Sequence, residues 1–310
     1  MPHQAPDGKL CPMAKRYKYF DPKALSRLGK MSLVARGVVE GFMSGLHKSP
    51  FKGFSVEFAE HRQYSPGDPL KHIDWRCFAR TERLNVKEFE DETNVRCYIL
   101  LDASNSMSYR GEGTKLTKLE YACFLAASFA YLMIHQQDPA GLVVFDKKIR
   151  RYIAPRGTPE HLRILLEALE QVKAGEISKM SQPFHELAET IKKRAMIVIL
   201  SDLYDEESEL LRALRHFRHR KHEVLLFHLF DPMELDFPFR RLSDFRDLET
   251  GDRIQVDPKF VREEYLEQLE AFCARFRRAC NESGADYCRI NTGVPFEESL
   301  GRYLALRARA

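Results

Sequence analysis

The chain has 310 residues, of which 44% are apolar and 30% charged, a composition typical of a globular protein with one large domain or one domain and a smaller companion. Its net charge of +4 is too small to indicate a nucleic-acid-binding protein, and no apolar run approaches the roughly 18 residues of a membrane span. The first residues lack the apolar core of a signal peptide, and the seven cysteines form no Cys-x-x-Cys pair, so we expect a cytoplasmic protein with reduced thiols.

The first part of the chain has an irregular pattern. Residues 1–20 are predicted to form a disordered tail, and residues 21–92 a small N-terminal α/β subdomain. Within this subdomain we expect a helix over Pro22–Phe42, a half-buried strand around Val56 where apolar and polar residues alternate, and a strand-like segment over Leu84–Phe89.

From residue 93 to residue 310 the pattern changes to apolar strands that alternate with helices. Such alternation predicts a doubly wound, Rossmann-like α/β sheet. The predicted strands are Val95–Leu101, Gly141–Phe145, Ile149–Ile153, Met196–Leu200, Val224–Leu229 and Tyr287–Ile290. The predicted helices are Leu116–His135, Pro159–Val172, Pro183–Lys193, Glu206–Arg220, Pro258–Ser283 and Phe296–Arg307.

One carboxylate and two hydroxyls follow the first strand of this domain, in the order Asp102, Ser104 and Ser106. Alternate residues of an extended chain point the same way, so the three side chains are expected to converge. Converging oxygen ligands suit a hard cation such as Mg²⁺. The alternative is a polar loop whose Asp or Ser only caps the next helix. The triplet alone leaves both interpretations open.

A second carboxylate, Asp202, follows the strand Met196–Leu200. In an open parallel sheet, ligands bind beyond the carboxyl ends of the strands, where the strand order reverses. If this strand and the one ending at Asp102 are neighbours, both carboxylates reach the same rim. Two carboxylates, serine hydroxyls and water make an octahedral oxygen site. A cap for the helix Glu206–Arg220 is the alternative role of Asp202.

Two motifs support a family assignment. The first is His-Arg-x-Tyr-x-Pro-Gly-Asp followed by Ile-Asp-Trp, over residues 61–75, and the second is Leu-Asp-x-Ser-x-Ser-Met over residues 101–107. Shorter matches are Ala79-Arg80, Leu84-x-Val86-Lys87, Ser201-Asp202-Leu203, Phe227-His228, Asp231-Pro232, Glu234 and Tyr265. With these motifs the chain resembles the bacterial domain of unknown function 58 family, whose members carry a von Willebrand factor A-like domain.

This resemblance implies a metal-ion-dependent adhesion site. In von Willebrand A-like domains, Asp-x-Ser-x-Ser is the core of that site, and a threonine from a later loop and an aspartate after another strand complete it. Carried over to this chain, the ligands are Asp102, Ser104, Ser106 and Asp202. Ser178 aligns with the threonine and keeps its hydroxyl without the methyl group. The implied cofactor is a divalent cation, Mg²⁺ first, with Mn²⁺ or Ca²⁺ as alternatives.

The resemblance also implies a partner, because members of the family are typically encoded beside MoxR-type AAA+ ATPases. We therefore expect a non-enzymatic, metal-dependent protein-interaction module that acts with such an ATPase in complex assembly or maturation, and whose partner supplies an acidic residue as the final ligand. The alternative is a Mg²⁺-dependent hydrolase or phosphotransferase with Asp102 as nucleophile or ligand. Haloacid-dehalogenase-type enzymes need Asp-x-Asp, and here Ser104 takes the second position. A third reading is an interaction scaffold without an ion.

The segment from His61 to Arg80 is interpreted as structural. Arg62 or Arg80 is expected to pair with Asp68 or Asp74 and so fix a turn. Trp75 is expected to pack this subdomain on the sheet.

Overall fold

The computed structural model describes residues 18–19, 56–65, 73–91, 95–175, 180–248 and 250–307. The chain divides into two compact units: residues 37–94 form one, and residues 1–36 and 95–310 form the other. The helix predicted over Pro22–Phe42 lies outside the described residues, as does Asp68.

The smaller unit contains an antiparallel strand pair and one short helix. Strand β1 (Val56–Gln63) pairs with β2 (Asn85–Asp91), with a register shift between Phe58 and Glu60. Both strands were predicted from the sequence, and helix α1 (Trp75–Thr81) between them was not. Asp74 is buried and accepts a hydrogen bond of 3.1 Å from the Cys77 backbone amide in the first turn of α1, so it caps this helix. The expected pairing of an arginine with Asp68 or Asp74 stays a prediction.

Trp75 does not lie in the core of the smaller unit. Its side chain is 60% exposed, and its ring makes an edge contact with Phe78, with 6.2 Å between the ring centres. Ile73, two residues earlier, is buried instead.

The larger unit is built on a six-stranded sheet with the order β10-β7-β6-β3-β4-β5. All neighbouring strands are parallel except β4 and β5, which are antiparallel. The three residues between β4 and β5 are too few for the crossover that parallel strands require. The strands are β3 (Arg96–Asp102), β4 (Ala140–Phe145), β5 (Ile149–Arg156), β6 (Ala195–Ser201), β7 (Glu223–Phe230) and β10 (Asp286–Asn291).

Helices cover both faces of this sheet, as predicted for a doubly wound α/β fold. Helices α2 (Lys118–His135), α3 (Pro159–Glu170) and α8 (Phe296–Arg307) pack together on one face. On the other face, α4 (Ser181–Thr190), α5 (Glu207–His219) and α7 (Pro258–Ser283) bury a continuous core against the strands. This two-sided burial explains why β3, β4, β6 and β7 have apolar sequences with no alternation.

In the larger unit, one short helix and one hairpin were not predicted. A five-residue helix, α6 (Pro232–Asp236), follows β7, and a short hairpin of β8 (Ser243–Arg246) and β9 (Arg253–Val256) precedes α7. Within the described ranges, none of the helices is both long and apolar enough to cross a membrane.

The strand order reverses between β3 and β6. From β3 the sheet continues to β4 and β5 on one side, and from β6 to β7 and β10 on the other. The two central strands are direct neighbours, with Leu101 opposite Leu200. The condition set from the sequence is therefore met: the ends of both strands lie at the same edge of the sheet, at its switch point.

Asp138, in the loop that leads into β4, is buried, and its carboxylate accepts a hydrogen bond of 3.1 Å from the Val95 backbone amide. Burial raises the pKa of Asp138 to about 6. The folded protein thus holds this proton more tightly than the unfolded chain, whose aspartate pKa is about 3.9. Asp138 therefore lowers the stability of the folded state as the pH rises from about 4 to about 6.

We predict that Asp138→Asn stabilises the protein at pH 7 by about 1–3 kcal/mol and has little effect near pH 4, because the amide keeps the acceptor and removes the buried charge. Urea unfolding at several pH values measures the difference. The exposed Glu282→Gln serves as control and should show no comparable pH dependence. A pH-independent difference for Asp138→Asn would contradict the prediction.

Candidate functional site

Asp102 is the last residue of β3, and the protein holds both of its carboxylate oxygens. The Ser104 backbone amide donates to Oδ1 at 2.8 Å, and the Ser201 hydroxyl donates to Oδ2 at 2.6 Å. All three residues are fully buried. Since Ser201 ends β6, the neighbouring strand, this contact ties the two strand ends together.

The serine hydroxyls continue this network to the second carboxylate. The hydroxyl oxygens of Ser104 and Ser106 are hydrogen-bonded at 3.0 Å, and the Ser106 hydroxyl donates to Asp202 Oδ1 at 3.2 Å. A single 3₁₀ turn over Ser106–Ser108 directs Ser106 inward. Asp102, Ser104, Ser106 and Asp202 are thus brought together as the sequence predicted, and all four are buried.

Asp202 does not cap the helix that follows it. The N-cap of α5 is Glu206, and Asp202 lies in a tight turn before it. In that turn Leu203 has a φ of 59°, a left-handed conformation that is unfavourable for leucine. Its amide donates to the Ser201 hydroxyl at 2.9 Å, and its side chain is buried, so packing and hydrogen bonding maintain the conformation.

Ser178 lies outside the described residues, and its role as a ligand stays a prediction. The residues that flank it are close to the site. The Gly175 amide donates to the Ala103 carbonyl at 2.7 Å, and Met180 Sδ lies 3.4 Å from the Ser201 hydroxyl oxygen.

A lysine that we did not single out from the sequence lies at the centre of the site. Lys118, the first residue of α2, is 1% exposed, and its Nζ lies 2.7 Å from Asp202 Oδ2 and 2.8 Å from Glu234 Oε1. Burial alone would lower the pKa of Lys118, but the charges and hydrogen bonds of Asp202 and Glu234 outweigh it and raise that pKa above its ordinary value. The ammonium therefore stays charged.

Two tyrosine rings enclose this ammonium. Lys118 Nζ lies 5.1 Å from the centre of the Tyr204 ring and 5.8 Å from that of Tyr109, both within cation–π range. Tyr204 is 41% exposed, so the ring separates the buried lysine from solvent.

The position of Glu234 is set by α6. Asp231 caps this helix through the Met233 amide at 2.9 Å, and Glu234 accepts from the Asp231 amide at 2.7 Å, which completes a capping box. Asp231 also accepts from the Gly111 amide at 2.9 Å. A Cβ at Gly111 would lie 2.2 Å from Asp231 Oδ1, so this approach requires glycine.

His228 fixes the backbone of Asp202 from the opposite side. Its Nε2 donates to the Asp202 carbonyl at 3.0 Å, and its Nδ1 accepts from the Tyr287 hydroxyl at 2.9 Å. Burial lowers the pKa of His228 to about 3, so the ring is neutral, as this pair of contacts requires.

The two aspartates influence each other. Burial, followed by the negative charge of Asp202, raises the pKa of Asp102 to about 7, although the hydrogen bonds from Ser201 and Ser104 oppose the shift. Burial also raises the pKa of Glu234, because Lys118 offsets only part of it. The site thus concentrates negative charge that a cation would stabilise.

The donor atoms fit a hard divalent cation. Two carboxylates and two hydroxyls form an all-oxygen set, which Mg²⁺ prefers over nitrogen or sulfur. In the part of the chain that the structure describes, no three His, Cys, Asp or Glu side chains are grouped as a metal site, so such a cation would depend on the serine hydroxyls. It would also share Asp202 with Lys118.

The same geometry does not suit nucleophilic attack by Asp102, the role given to it in the hydrolase alternative. Its carboxylate is fully buried, and both oxygens already accept hydrogen bonds from Ser104 and Ser201. This arrangement holds charge in place and does not present a nucleophile to solvent.

Lys118 is the partner residue that the sequence interpretation missed. Ser201, His228 and Glu234 were named there only as family matches, without a role in the site. One signal for Lys118 was available. It is a cation in the first turn of a largely apolar helix, where the helix dipole disfavours positive charge. A lysine retained there indicates a nearby anion.

We predict that Ser201→Ala destabilises the protein by about 1–3 kcal/mol, because a buried carboxylate and the buried Leu203 amide both lose a hydrogen-bond partner. Chemical denaturation measures the loss. Ser208→Ala, which removes an exposed hydroxyl bonded to Glu206, is the matched control and should change stability by less than about 0.5 kcal/mol. Equal effects of the two substitutions would contradict the assigned role of Ser201.

Several solved structures are similar to this chain at low sequence identity. The conserved hypothetical protein BatB from Bacteroides thetaiotaomicron is 15% identical, with a TM-score of 0.46, over 70% of this chain and 100% of that one. An aerotolerance-related membrane protein from Bacteroides fragilis is 18% identical, with a TM-score of 0.45, over 69% and 98%. A von Willebrand factor type A protein from Catenulispora acidiphila is 13% identical, with a TM-score of 0.42, over 71% and 44%.

Sequence relatives cover almost the whole chain. Uncharacterized proteins of Mycobacterium bovis and Mycobacterium tuberculosis are each 25% identical over 295 residues, which is 93% of this chain and 91% of theirs. The family described as "Protein of unknown function DUF58" matches residues 60–272, which include both motifs and all the described site residues up to Glu234. The family resemblance inferred from the motifs is confirmed: this chain belongs to the DUF58 family.

Proposed function

We propose that this protein is a non-enzymatic, metal-dependent protein-interaction module. Asp102, Ser104, Ser106 and Asp202 would hold a divalent cation, Mg²⁺ first and Mn²⁺ or Ca²⁺ as alternatives, with Ser178 as a further ligand. The observation that carries the proposal is the hydrogen-bond network that brings these four residues together at two neighbouring strand ends, through the Ser104 amide and the hydroxyls of Ser104, Ser106 and Ser201. The position of this oxygen cluster at a switch point and its all-oxygen chemistry support a cation site there.

The chain's own residues would prepare the site for a partner. Asp102 and Asp202 supply negative charge in a buried setting, the two serines orient hydroxyl oxygens between them, and His228 keeps the Asp202 backbone fixed. When bound, the cation supplies positive charge that a carboxylate from another protein can ligate. An interaction of this type is strengthened as water is excluded from the interface.

A partner would meet the rim above the buried ligands. Tyr204 is exposed over Lys118, and Asn105, between the two ligand serines, is partly exposed. The Asn105 side-chain amide donates to the Leu248 carbonyl in the turn between β8 and β9, so this hairpin borders the same rim. The proposed binding surface therefore includes the ligand loop, Tyr204 and the hairpin turn.

The proposed partner is a MoxR-type AAA+ ATPase that offers an acidic residue, and the proposed role is complex assembly or maturation in the cytoplasm. Membership in the DUF58 family supports this choice through the family resemblance. The buried and hydrogen-bonded state of Asp102 supports a binding role over hydrolysis.

We expect Asp102→Ala to abolish Mg²⁺-dependent binding of the MoxR-type ATPase from the same organism, because the variant loses the carboxylate at the centre of the donor set. Binding is measured with purified proteins in Mg²⁺ and in chelator. Asp102→Asn, which keeps the shape and a hydrogen-bond acceptor, covers the case in which the alanine variant fails to fold. The control is Glu282→Ala, which removes an exposed carboxylate at the end of α7, outside the proposed binding surface.

Comparing binding in Mg²⁺ with binding in chelator shows whether the interaction depends on metal. Loss of binding in the folded Asp102 variants and in chelator, with Glu282→Ala unchanged, supports the proposal. Binding by the wild-type protein that is unaffected by chelator and by both Asp102 substitutions would refute metal dependence.

A further inference from the structure

The Asp202 carboxylate would interact with two positive charges, the Lys118 ammonium and the proposed divalent cation. Its Oδ1 accepts a hydrogen bond from Ser106, one of the proposed ligands, and its Oδ2 is paired with the Lys118 ammonium at 2.7 Å. Both partners of this ion pair are buried, so solvent screens the interaction little. The carboxylate that a divalent cation would use is thus already engaged by a cation of the chain itself.

We infer that Lys118 competes with a divalent cation for Asp202 and thereby sets how tightly the site takes up metal. This inference rests on the proposed function of the same site. A cation bound by the oxygen cluster would be repelled by the nearby Lys118 ammonium. It would also have to share the Asp202 carboxylate, whose Oδ2 is already paired with Lys118.

Glu234 gives Lys118 a second place to bind. Lys118 Nζ already contacts Glu234 Oε1 at 2.8 Å, and the capping box of α6 holds Glu234 in position. Lys118 can therefore release Asp202 and keep a carboxylate partner within the protein. On cation uptake, the metal ion would replace the Lys118 ammonium at Asp202, while Lys118 keeps its contact with Glu234.

This exchange predicts opposite effects for two substitutions. Lys118→Met removes the competitor and keeps the length of the side chain, so Mg²⁺ and Mn²⁺ affinity should rise at least roughly tenfold. Glu234→Gln removes the alternative partner, so Lys118 stays on Asp202 and the affinity should fall. The control is Lys115→Met, which removes an exposed lysine of the preceding loop and should leave the affinity unchanged.

A double variant separates competition from a simple loss of charge. If Glu234 acts through Lys118, then Glu234→Gln should have no effect on affinity in the Lys118→Met background. If Glu234 attracts the cation by its own charge, its substitution lowers affinity equally in both backgrounds, which would overturn the exchange. The double variant also avoids an unpaired Glu234 carboxylate.

Titration calorimetry of the full chain with Mg²⁺ and Mn²⁺ measures the affinities, and the metal-induced change in thermal unfolding midpoint gives an independent readout. Lys118→Met affinity equal to or below that of the wild type overturns the inference and leaves the proposed function intact. If neither the wild type nor any Lys118 variant binds either ion, both fail. If Lys118→Met alone does not fold, the double variant decides: affinity no higher than that of the wild type overturns the inference.

Discussion

The buried ion pair between Lys118 and Asp202 is the interaction on which the site depends. Asp102 and Asp202 follow strands that helices cover on both faces, so both carboxylates are removed from water. Burying such charges without compensation costs several kcal/mol for each ion. The protein meets this cost with one ammonium and with hydrogen bonds from Ser104, Ser106 and Ser201. Each of these contacts positions an oxygen atom, so the interactions that make burial tolerable also build the cluster.

Lys118 can occupy this place only because neighbouring elements hold it there. As the first residue of α2, it lies at the positive end of the helix dipole, which disfavours a cation. Thr117 and Glu120 form a capping box that satisfies the free amides of this turn, and the acidic side chain of Glu120 offsets the dipole. The capping box of α6 fixes Glu234 on the other side. Two capping boxes, each recognisable from its own short stretch of sequence, thus position Lys118 and Glu234 for an ion pair between residues distant in the chain.

Features that depend on residues close together in the chain were predicted from the sequence, and features that depend on distant residues were not. The boundaries of α7 and α8 were predicted correctly, and strands such as β3 and β6 to within two residues, because their apolar runs and capping residues are local signals. The oxygen cluster was predictable from two strand ends and a switch-point rule. The exposure of Trp75 was not predictable, because a large aromatic side chain is buried or exposed according to its neighbours in space. The pairing of Lys118 with Asp202 and Glu234 was also out of reach, since it joins residues that are distant in the chain.

The Asp-x-Ser-x-Ser motif therefore determines where the oxygen atoms lie but not the charge balance of the site. It specifies where oxygen atoms converge, because alternation along an extended segment and the parallel register of β3 and β6 are geometric consequences of sequence. It does not specify the charge balance at that point, which depends on Lys118, Glu234 and the pKa of Asp102. If the inferred competition holds, two chains with the same motif differ in cation affinity when one of them carries a buried ammonium beside the second aspartate. For a site of this kind, the residues that face the donor set from other helices decide what the motif can bind.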